Sequence, residues 1–313
     1  MAVPGSASRW FTTSDGVRLH YLESSREPVD GRRGAPTLAL VPGWTMPAWI
    51  WRAQIEHFAP RLRVLALDPR GQGHSEIAAT GYDYARRAGD IREWLAAAGC
   101  EDNVVLAGWS LGVLESLQLM HDLRASSPAT PAATPATPAA TAQATAPVRA
   151  LVLVDNSVGV GEPPASDPTF FSRLRSKRRE TVAGFVASMF KRPTPPHWQA
   201  ALVEAALRTP LQASIDLLRQ SRAREFWRDS LYATALPVLY AYSQRFAQQG
   251  EIVKARRPAI ETHLFADAGH ALFVDEAPAF NDLLAGFIGR AVPAAGLPRG
   301  ARDAAGGASG ATR

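Results

Sequence analysis

In VVLAGWSLGVLESLQLM, residues 104–120, an apolar run passes directly into an amphipathic one. Ser110 stands at the junction, and a glycine lies two positions away on each side, at Gly108 and Gly112. The apolar run predicts a buried strand, and the spacing after it predicts a helix. A serine raised on a sharp strand-to-helix turn leaves no room for a Cβ at the flanking positions. We therefore predict that Ser110 stands on such a turn and acts as a nucleophile.

Further apolar runs, most of them closed by Gly, Pro or Asp, lie on both sides of this stretch and alternate with helical patterns. Near-continuous apolar runs of this length are typical of strands buried on both faces of a parallel sheet. The N-terminal stretch RWFTTSDGVRLHYLES predicts an antiparallel hairpin that turns at Asp15 and Gly16. Together these patterns predict a doubly wound α/β fold with a mostly parallel sheet flanked by helices. The runs are PTLALVPG, LRVLALDPRG, VRALVLVDN, LPVLYAYS and ETHLFADAGH.

Three segments interrupt this alternation. The first is rich in Ala, Thr and Pro and cannot bury enough apolar surface to fold, so we predict a disordered insertion. The second has helical spacing after an Asp-Pro start signal, and we predict a helical lid inserted after the sixth strand. The third is a Gly/Ala/Arg-rich tail that we predict to be disordered. The predicted division is a core of residues 1–124, 148–156 and 236–289, the insertion 125–147, the lid 157–235 and the tail 290–313.

Composition limits the class of protein. The chain has 313 residues, 46% of them hydrophobic, and no apolar run approaches the roughly 18 residues needed to cross a bilayer, so we expect no membrane partner. The one cysteine, Cys100, allows no intrachain disulfide, and we expect a cytoplasmic protein. A net charge of +5 permits acidic partners but does not indicate nucleic acid. No metal-ligand cluster or phosphate-binding loop is apparent in the sequence, so we expect no metal and no cofactor.

Three more stretches combine with the serine turn to resemble the α/β-hydrolase family. LVPGWTM, residues 40–46, is similar to the family's oxyanion loop, and LDPRGQGHS, residues 67–75, to its Asp-x-Arg-Gly loop, which we interpret as a structural turn. In DAGHALFVDEAP, His270 corresponds to the family's general base. The resemblance implies that the backbone N–H groups of Trp44 and Leu111 form the oxyanion hole and that His270 takes the serine proton.

The acid of a triad is harder to locate. The family usually carries it after the seventh strand, but YAYSQRFAQQGEIV contains no carboxylate before Glu251. Some members carry it one strand earlier, where this chain has Asp155, and we predict Asp155 as the acid. Glu251 is the next choice, and Asp267, Asp275 or no acid at all stay open.

The leading functional hypothesis is hydrolysis of a carboxylic ester through an acyl-Ser110 intermediate. Trp109, Phe171 and Phe185 are candidates for contact with the substrate, because apolar side chains line most small-molecule pockets. Two alternatives stay open on the same fold, namely a non-hydrolytic enzyme such as a lyase or a cofactor-independent oxygenase, and a binding protein without turnover. A dehalogenase or an epoxide hydrolase is disfavoured, because those family members have an aspartate where Ser110 stands.

Within the family, GWTM, the tryptophans that follow it and GWSLG most resemble the methyl esterases that act on pimeloyl-acyl-carrier protein. The lid sequence SRLRSKRRE adds a basic cluster that could attract an acidic acyl carrier protein. A solvated helix face is the alternative interpretation of that cluster. Its members are Arg173, Arg175, Lys177, Arg178 and Arg179.

Overall fold

A computed structural model describes residues 1–24, 35–100, 102–126, 147–163, 165–220 and 222–292. The strands in this part of the chain are β1 (Ser6–Thr12), β2 (Arg18–Ser24), β3 (Thr37–Val41), β4 (Arg63–Asp68), β5 (Val104–Trp109), β6 (Val148–Val154), β7 (Val238–Ser243) and β8 (Glu261–Phe265). The helices are α1 (Arg52–Phe58), α2 (Tyr84–Ala97), α3 (Leu111–Ser126), α4 (Phe170–Ser176), α5 (Arg178–Ser188), α6 (Pro196–Arg208), α7 (Leu211–Arg219), α8 (Arg224–Ala233), α9 (Ala247–Arg256), α10 (Leu272–Asp275) and α11 (Ala277–Ala291). Short 3₁₀ helices lie at Ala48–Trp51 and Gln244–Phe246.

The strands form one eight-stranded sheet in the order β1-β2-β4-β3-β5-β6-β7-β8. β1, β2 and β4 are joined by antiparallel pairings, and every pairing from β4 through β8 is parallel. The predicted hairpin and the predicted doubly wound parallel sheet are therefore confirmed. The chain passes from β3 to β4 on one side and later to β5 on the other, so the strand order reverses at β3. In open α/β sheets a crevice forms at the carboxyl ends of the strands at such a reversal.

The centre of the sheet is fully covered. Every residue of β5 and β7 is buried, and the other central strands are nearly as covered, which explains why their sequences show no polar alternation. Helix pairs lie over the sheet: α2 contacts α3, and α1 contacts α11. The core positions the loops that follow β3, β5, β6 and β8 at one edge.

Helices α4 to α8 lie between β6 and β7, at the position where the sequence predicts a lid. Their apolar residues pack toward the body, with Leu174, Val186, Leu202 and Leu231 among the buried side chains. The name helical segment is used below for residues 157–235.

Two predicted boundaries differ from the structure. α3 continues through residues 125 and 126, where the Ser126 hydroxyl donates to the Asp122 carbonyl at 2.8 Å. α11 continues through residues 290 and 291, and an ion pair of 2.6 Å between Arg290 and Glu261 ties its end to β8. The remainder of the predicted disordered segments, residues 127–146 and 293–313, lies outside the described residues. Within the described ranges, no helix combines the length and apolar character needed to cross a membrane.

Candidate active site

Ser110 stands between β5 and α3 on the predicted turn. Its φ of +54° lies in the left-handed region, which a non-glycine residue adopts at a cost on the order of 1–3 kcal/mol. A Cβ at Gly108 would stand 2.2 Å from the Gly112 carbonyl oxygen, and a Cβ at Gly112 would stand 2.7 Å from that of Val41. Both distances are far below van der Waals contact, so the two glycines are required by the close approach of neighbouring backbone.

Three side chains meet at the carboxyl edge of the sheet. Ser110 Oγ lies 2.9 Å from His270 Nε2, and His270 Nδ1 lies 2.7 Å from Asp155 Oδ2. Asp155 is fully buried, whereas about a fifth of the His270 side chain, 21%, is exposed. The structure thus brings together the three residues that the sequence predicts for nucleophile, base and acid.

Asp155 directly follows β6, and its carboxylate bridges two parts of the site. Oδ2 lies against His270, and Oδ1 binds to the end of β7. Asp155 Oδ1 accepts a hydrogen bond of 2.6 Å from the backbone N–H of Ser243, the last residue of β7. The Asp155 carboxylate therefore lies beside the loop after β7, where the family usually carries its acid. The turn into this position is tight, and Asp155 has a φ of +49°.

The residue after Asp155 stabilises the turn at Ser110, a contact that the sequence did not predict. Asn156 Nδ2 donates to the Ser110 carbonyl at 2.6 Å. Tyr240 Oη in turn donates to the Asn156 carbonyl at 2.9 Å. Burial, reinforced by the charge of Asp155, raises the pKa of Tyr240 well above its usual value, so this hydroxyl keeps its proton and remains a donor.

The loop after β3 lies directly against Ser110. A Cβ placed on Gly43 would stand 2.9 Å from Ser110 Cβ, so the Gly43–Trp44 peptide adjoins the serine. Leu111 begins α3 next to Ser110, and both Trp44 and Leu111 are buried. The Gly43–Trp44 peptide and the start of α3 therefore both adjoin Ser110, which is where the oxyanion hypothesis places its two donors.

Trp109 lies elsewhere than the substrate hypothesis expected. Its side chain is 1% exposed, its ring packs against Phe273 at 5.1 Å, and its Nε1 donates to the His270 carbonyl at 2.9 Å. The buried Trp109 indole stabilises the backbone at His270 and has almost no exposed surface with which to contact a ligand. We therefore correct its assignment from substrate contact to support of His270.

The other two predicted substrate residues lie in the helical segment. The Phe185 ring meets that of Trp44 edge to face at 5.0 Å and borders a cavity of about 340 Å³ between α4 and α5. Phe171 is half-buried, lies beside Phe170, and carries the guanidinium of Arg219 at 4.9 Å from its ring centre. Of the two, Phe185 is the one joined to the oxyanion loop, through the Trp44 ring.

The remaining candidate acids do not contact the His270 ring. Glu251 is exposed on α9, and Asp267 is 88% exposed beside Lys191. Asp275 instead joins the histidine loop to the helical segment, because its Oδ2 accepts from the backbone N–H of Gly269 at 2.7 Å and from that of Lys191 at 2.8 Å. Its role in this structure is to hold two loops together.

A buried ion pair lies under the serine turn. Glu115 on α3 and Arg87 on α2 are each 1% exposed, and Glu115 Oε1 lies 2.9 Å from Arg87 Nη2. Apart from this ion pair, neither Glu115 oxygen has a hydrogen-bond partner among the described residues. Burial is the largest influence on this carboxyl, and it raises the Glu115 pKa from 4.5 to about 7 although Arg87 acts in the opposite direction.

The shifted Glu115 pKa predicts a pH-dependent stability. The folded carboxyl holds its proton more tightly than the unfolded one, so its contribution is present below about pH 4.5 and is lost as pH rises to about 7. The Glu115→Gln variant lacks this titration. Relative to the variant, the parent should therefore lose unfolding free energy on the order of 3 kcal/mol over that interval. Urea unfolding of both proteins at about pH 5 and about pH 8 measures the change. Parallel behaviour of the two proteins would contradict it.

Comparison with known proteins agrees with this fold. Residues 38–283 match the family model described as the alpha/beta hydrolase family. A soluble epoxide hydrolase of Corynebacterium is 33% identical over 110 residues, which span 35% of each protein, so the chain aligns with about a third of that relative. A pimeloyl-[acyl-carrier protein] methyl ester esterase of Aeromonas hydrophila is 27% identical over 281 residues, 81% of this chain and 96% of the relative.

A solved structure shows the same architecture. An esterase from Exiguobacterium antarcticum superposes with a TM-score of 0.71 at 19% identity, covering 89% of this chain and 98% of the esterase. At that identity the likeness speaks for the fold alone. Because the family model spans most of the sheet and its flanking helices, this chain belongs to the alpha/beta hydrolase family.

Proposed function

We propose that this protein hydrolyses a carboxylic ester through a covalent acyl-Ser110 intermediate. The observation that carries the proposal is the hydrogen-bonded series Ser110–His270–Asp155, with distances of 2.9 and 2.7 Å. A serine hydroxyl is a weak nucleophile unless a base lies within reach of its proton, and a base is most effective when a third group orients it. The similarity to an ester-cleaving relative over most of both chains adds support.

The reaction has two halves. With Nδ1–H directed at Asp155, His270 presents the Nε2 lone pair and takes the Ser110 proton as Oγ attacks the ester carbonyl. The N–H groups of Trp44 and Leu111 stabilise the tetrahedral oxyanion. The intermediate collapses, the C–O bond of the ester breaks, and His270 returns its proton to the departing alcohol. Water then attacks the acyl-enzyme with His270 as base, and collapse releases the carboxylic acid and restores Ser110.

The chemistry of position 110 favours an ester over an epoxide, although an epoxide hydrolase is among the relatives. A serine with an oriented histidine is suited to acyl transfer, which needs an oxyanion site for the carbonyl oxygen. A missing triad acid would favour the lyase or oxygenase alternative, and no carboxylate follows the seventh strand before Glu251. Asp155 occupies that space from β6, so the alternative loses this support.

The acyl group is expected to lie against an apolar wall. Trp44, Phe170 and Phe185 form a group of edge-to-face rings that joins the oxyanion loop to the helical segment. Trp44 Nε1 is satisfied by the Ser214 carbonyl at 2.7 Å, which leaves the ring fixed between the two parts. In this proposal the helical segment acts as a lid, and Phe185 contacts the acyl chain.

A panel of p-nitrophenyl esters of graded chain length, with styrene oxide as a non-ester, tests the proposal. Release of p-nitrophenol in a burst followed by steady turnover is expected, because the good p-nitrophenolate leaving group makes acylation faster than deacylation and the acyl-enzyme accumulates. Opening of the epoxide without ester turnover would overturn the proposal.

A carrier-linked substrate is the finer hypothesis. The side chains of the basic cluster differ in their exposure to solvent. Arg178 is half-buried and donates to the carbonyl oxygens of Leu207 and Thr209, so it stabilises the helical segment. Arg175 and Arg179 are exposed, and Arg179 pairs with Glu204 across the surface. A carrier surface would therefore meet Arg175 and Arg179.

Reversing Arg175 and Arg179 to Glu should raise KM for a carrier-linked methyl ester by about tenfold, since charges at the rim of an interface act mainly on association. KM for p-nitrophenyl butyrate should not change. The matched control is Lys254→Glu with Arg256→Glu on α9, which alters net charge equally. An equal effect of both double variants on the carrier-linked ester would contradict a specific carrier surface.

A further inference from the structure

One buried glutamine holds the loop that adjoins the nucleophile. Gln72 follows β4 in the stretch interpreted above as a structural turn, and its side chain has no exposed surface. Its Nε2 donates to two carbonyl oxygens of the loop after β3, that of Gly43 at 3.1 Å and that of Met46 at 2.8 Å. The two hydrogen bonds therefore enclose residues 43–46 at both ends.

The enclosed residues form a strained turn. The Met46 N–H donates to the Gly43 carbonyl at 3.2 Å, which closes a four-residue turn. Its third residue, Thr45, has a φ of +58°, a position that a turn of this type normally gives to glycine. A threonine in that conformation is costly, so external contacts are needed to keep the turn in one arrangement.

The Gly43 carbonyl determines where the Trp44 N–H points. The two groups belong to one planar trans peptide, in which C=O and N–H point in opposite directions. Because Gln72 holds the carbonyl on one side, the N–H is directed to the other. No rotation of this peptide is possible without breaking the hydrogen bond from Gln72 Nε2.

The glutamine itself is anchored from behind. Arg87 donates to Gln72 Oε1 from Nη1 at 3.2 Å and from Nη2 at 3.3 Å. Arginine has only donors, and the loop presents carbonyl oxygens to the glutamine, so just one orientation of the amide satisfies both sides. Arg87 is paired with Glu115, which lies on α3, the helix that begins at Leu111. Buried polar contacts through Gln72, Arg87 and Glu115 thus connect the loop that contains Trp44 with the helix that begins at Leu111.

We propose that Gln72 is a positioning residue that aims the Trp44 N–H at the oxyanion formed on the substrate. The inference rests on the proposed esterase function and assigns a role that the loop's resemblance did not imply. The hydrogen bonds of the Gln72 side chain go to Gly43, Met46 and Arg87, so its effect should appear in the stabilisation of the tetrahedral state and not in ground-state binding.

The test replaces Gln72 by Met, which keeps length and removes both donors. The matched control is Gln54→Met, because Gln54 is equally buried and its Nε2 also donates two hydrogen bonds, to Phe273 and Asn281, away from residues 43–46. Loss of a whole oxyanion donor costs about 10²–10³ in kcat, so a misdirected donor should cost at least about tenfold. KM should stay within about twofold, and Ki for a boronic acid that forms a tetrahedral adduct should rise as kcat falls.

Gln72→Glu provides a second variant, since the carboxylate keeps the contact with Arg87 but offers no N–H to Gly43. Either folded variant should show the kcat and Ki losses, and Gln54→Met should show only reduced stability. If kcat and Ki of both Gln72 variants match those of Gln54→Met, the positioning role is wrong while the ester chemistry stands. A parent protein without ester turnover and without fluorophosphonate labelling would overturn the proposed function, and this inference with it.

Discussion

Ser110→Ala should abolish ester hydrolysis, with kcat falling by about 10⁴-fold or more. Alanine keeps the Cβ of serine, so the turn at φ +54° and the packing against Gly43 are preserved while the nucleophilic oxygen is removed. Turnover of p-nitrophenyl butyrate and covalent labelling by a fluorophosphonate are the measurements. Both should be lost at an unchanged melting temperature.

The control for this variant is a buried serine away from the site. Ser230 lies on α8 with its hydroxyl enclosed, and Ser230→Ala should retain turnover and labelling. Persistent labelling of Ser110→Ala would mean that a different residue reacts, and the assignment of the nucleophile would be wrong.

The second large effect is expected at Asp155. Asn at this position can still accept from the Ser243 N–H, but it does not provide the negative charge that orients His270 and stabilises its protonated form. In serine proteases, replacing the aspartate of a Ser-His-Asp triad by Asn costs on the order of 10⁴-fold in kcat, and we expect a loss of at least about 10²-fold here. Steady-state kinetics and thermal unfolding measure this loss and the accompanying small change in stability.

Two further carboxylates provide the comparison. Glu251→Gln and Asp267→Asn should keep kcat within a few-fold of the parent, because both side chains are exposed and neither contacts the His270 ring. Full activity of Asp155→Asn together with an inactive Glu251→Gln would place the acid after β7. Full activity of all three would mean that His270 works without any of these carboxylates.

Much of the fold could be predicted because it depends on local patterns. Uninterrupted apolar runs such as residues 104–109 indicate strands covered on both faces. The glycines on both sides of Ser110 indicate a sharp strand-to-helix turn, because neighbouring backbone comes too close there for a Cβ. The location of Asp155 at the end of β6 could also be predicted, since the strands of one parallel sheet end at one edge. What the pattern could not decide was the choice among carboxylates, which depends on the hydrogen bond from Ser243 across to Asp155.

The supporting contacts were beyond the sequence for a different reason. In the sequence Trp109 looks like a pocket residue beside Ser110. Its burial and its hydrogen bond to the His270 carbonyl, 161 positions along the chain, show that it faces the core. Gln72, Arg87 and Glu115 are polar residues in a turn and on two helices, where exposure is the usual expectation. These three residues are buried together because of tertiary packing, and the local periodicity of the sequence does not indicate such packing.

In the proposed mechanism Ser110 carries the acyl group during turnover. Acid quenching of the protein in the burst phase with p-nitrophenyl butyrate, followed by mass spectrometry of the intact chain and of its peptides, measures this directly. We expect the mass to rise by one butyryl group, and we expect that group on the peptide containing Ser110. An unchanged mass during continuing turnover, or an acyl group on any other residue, would contradict it.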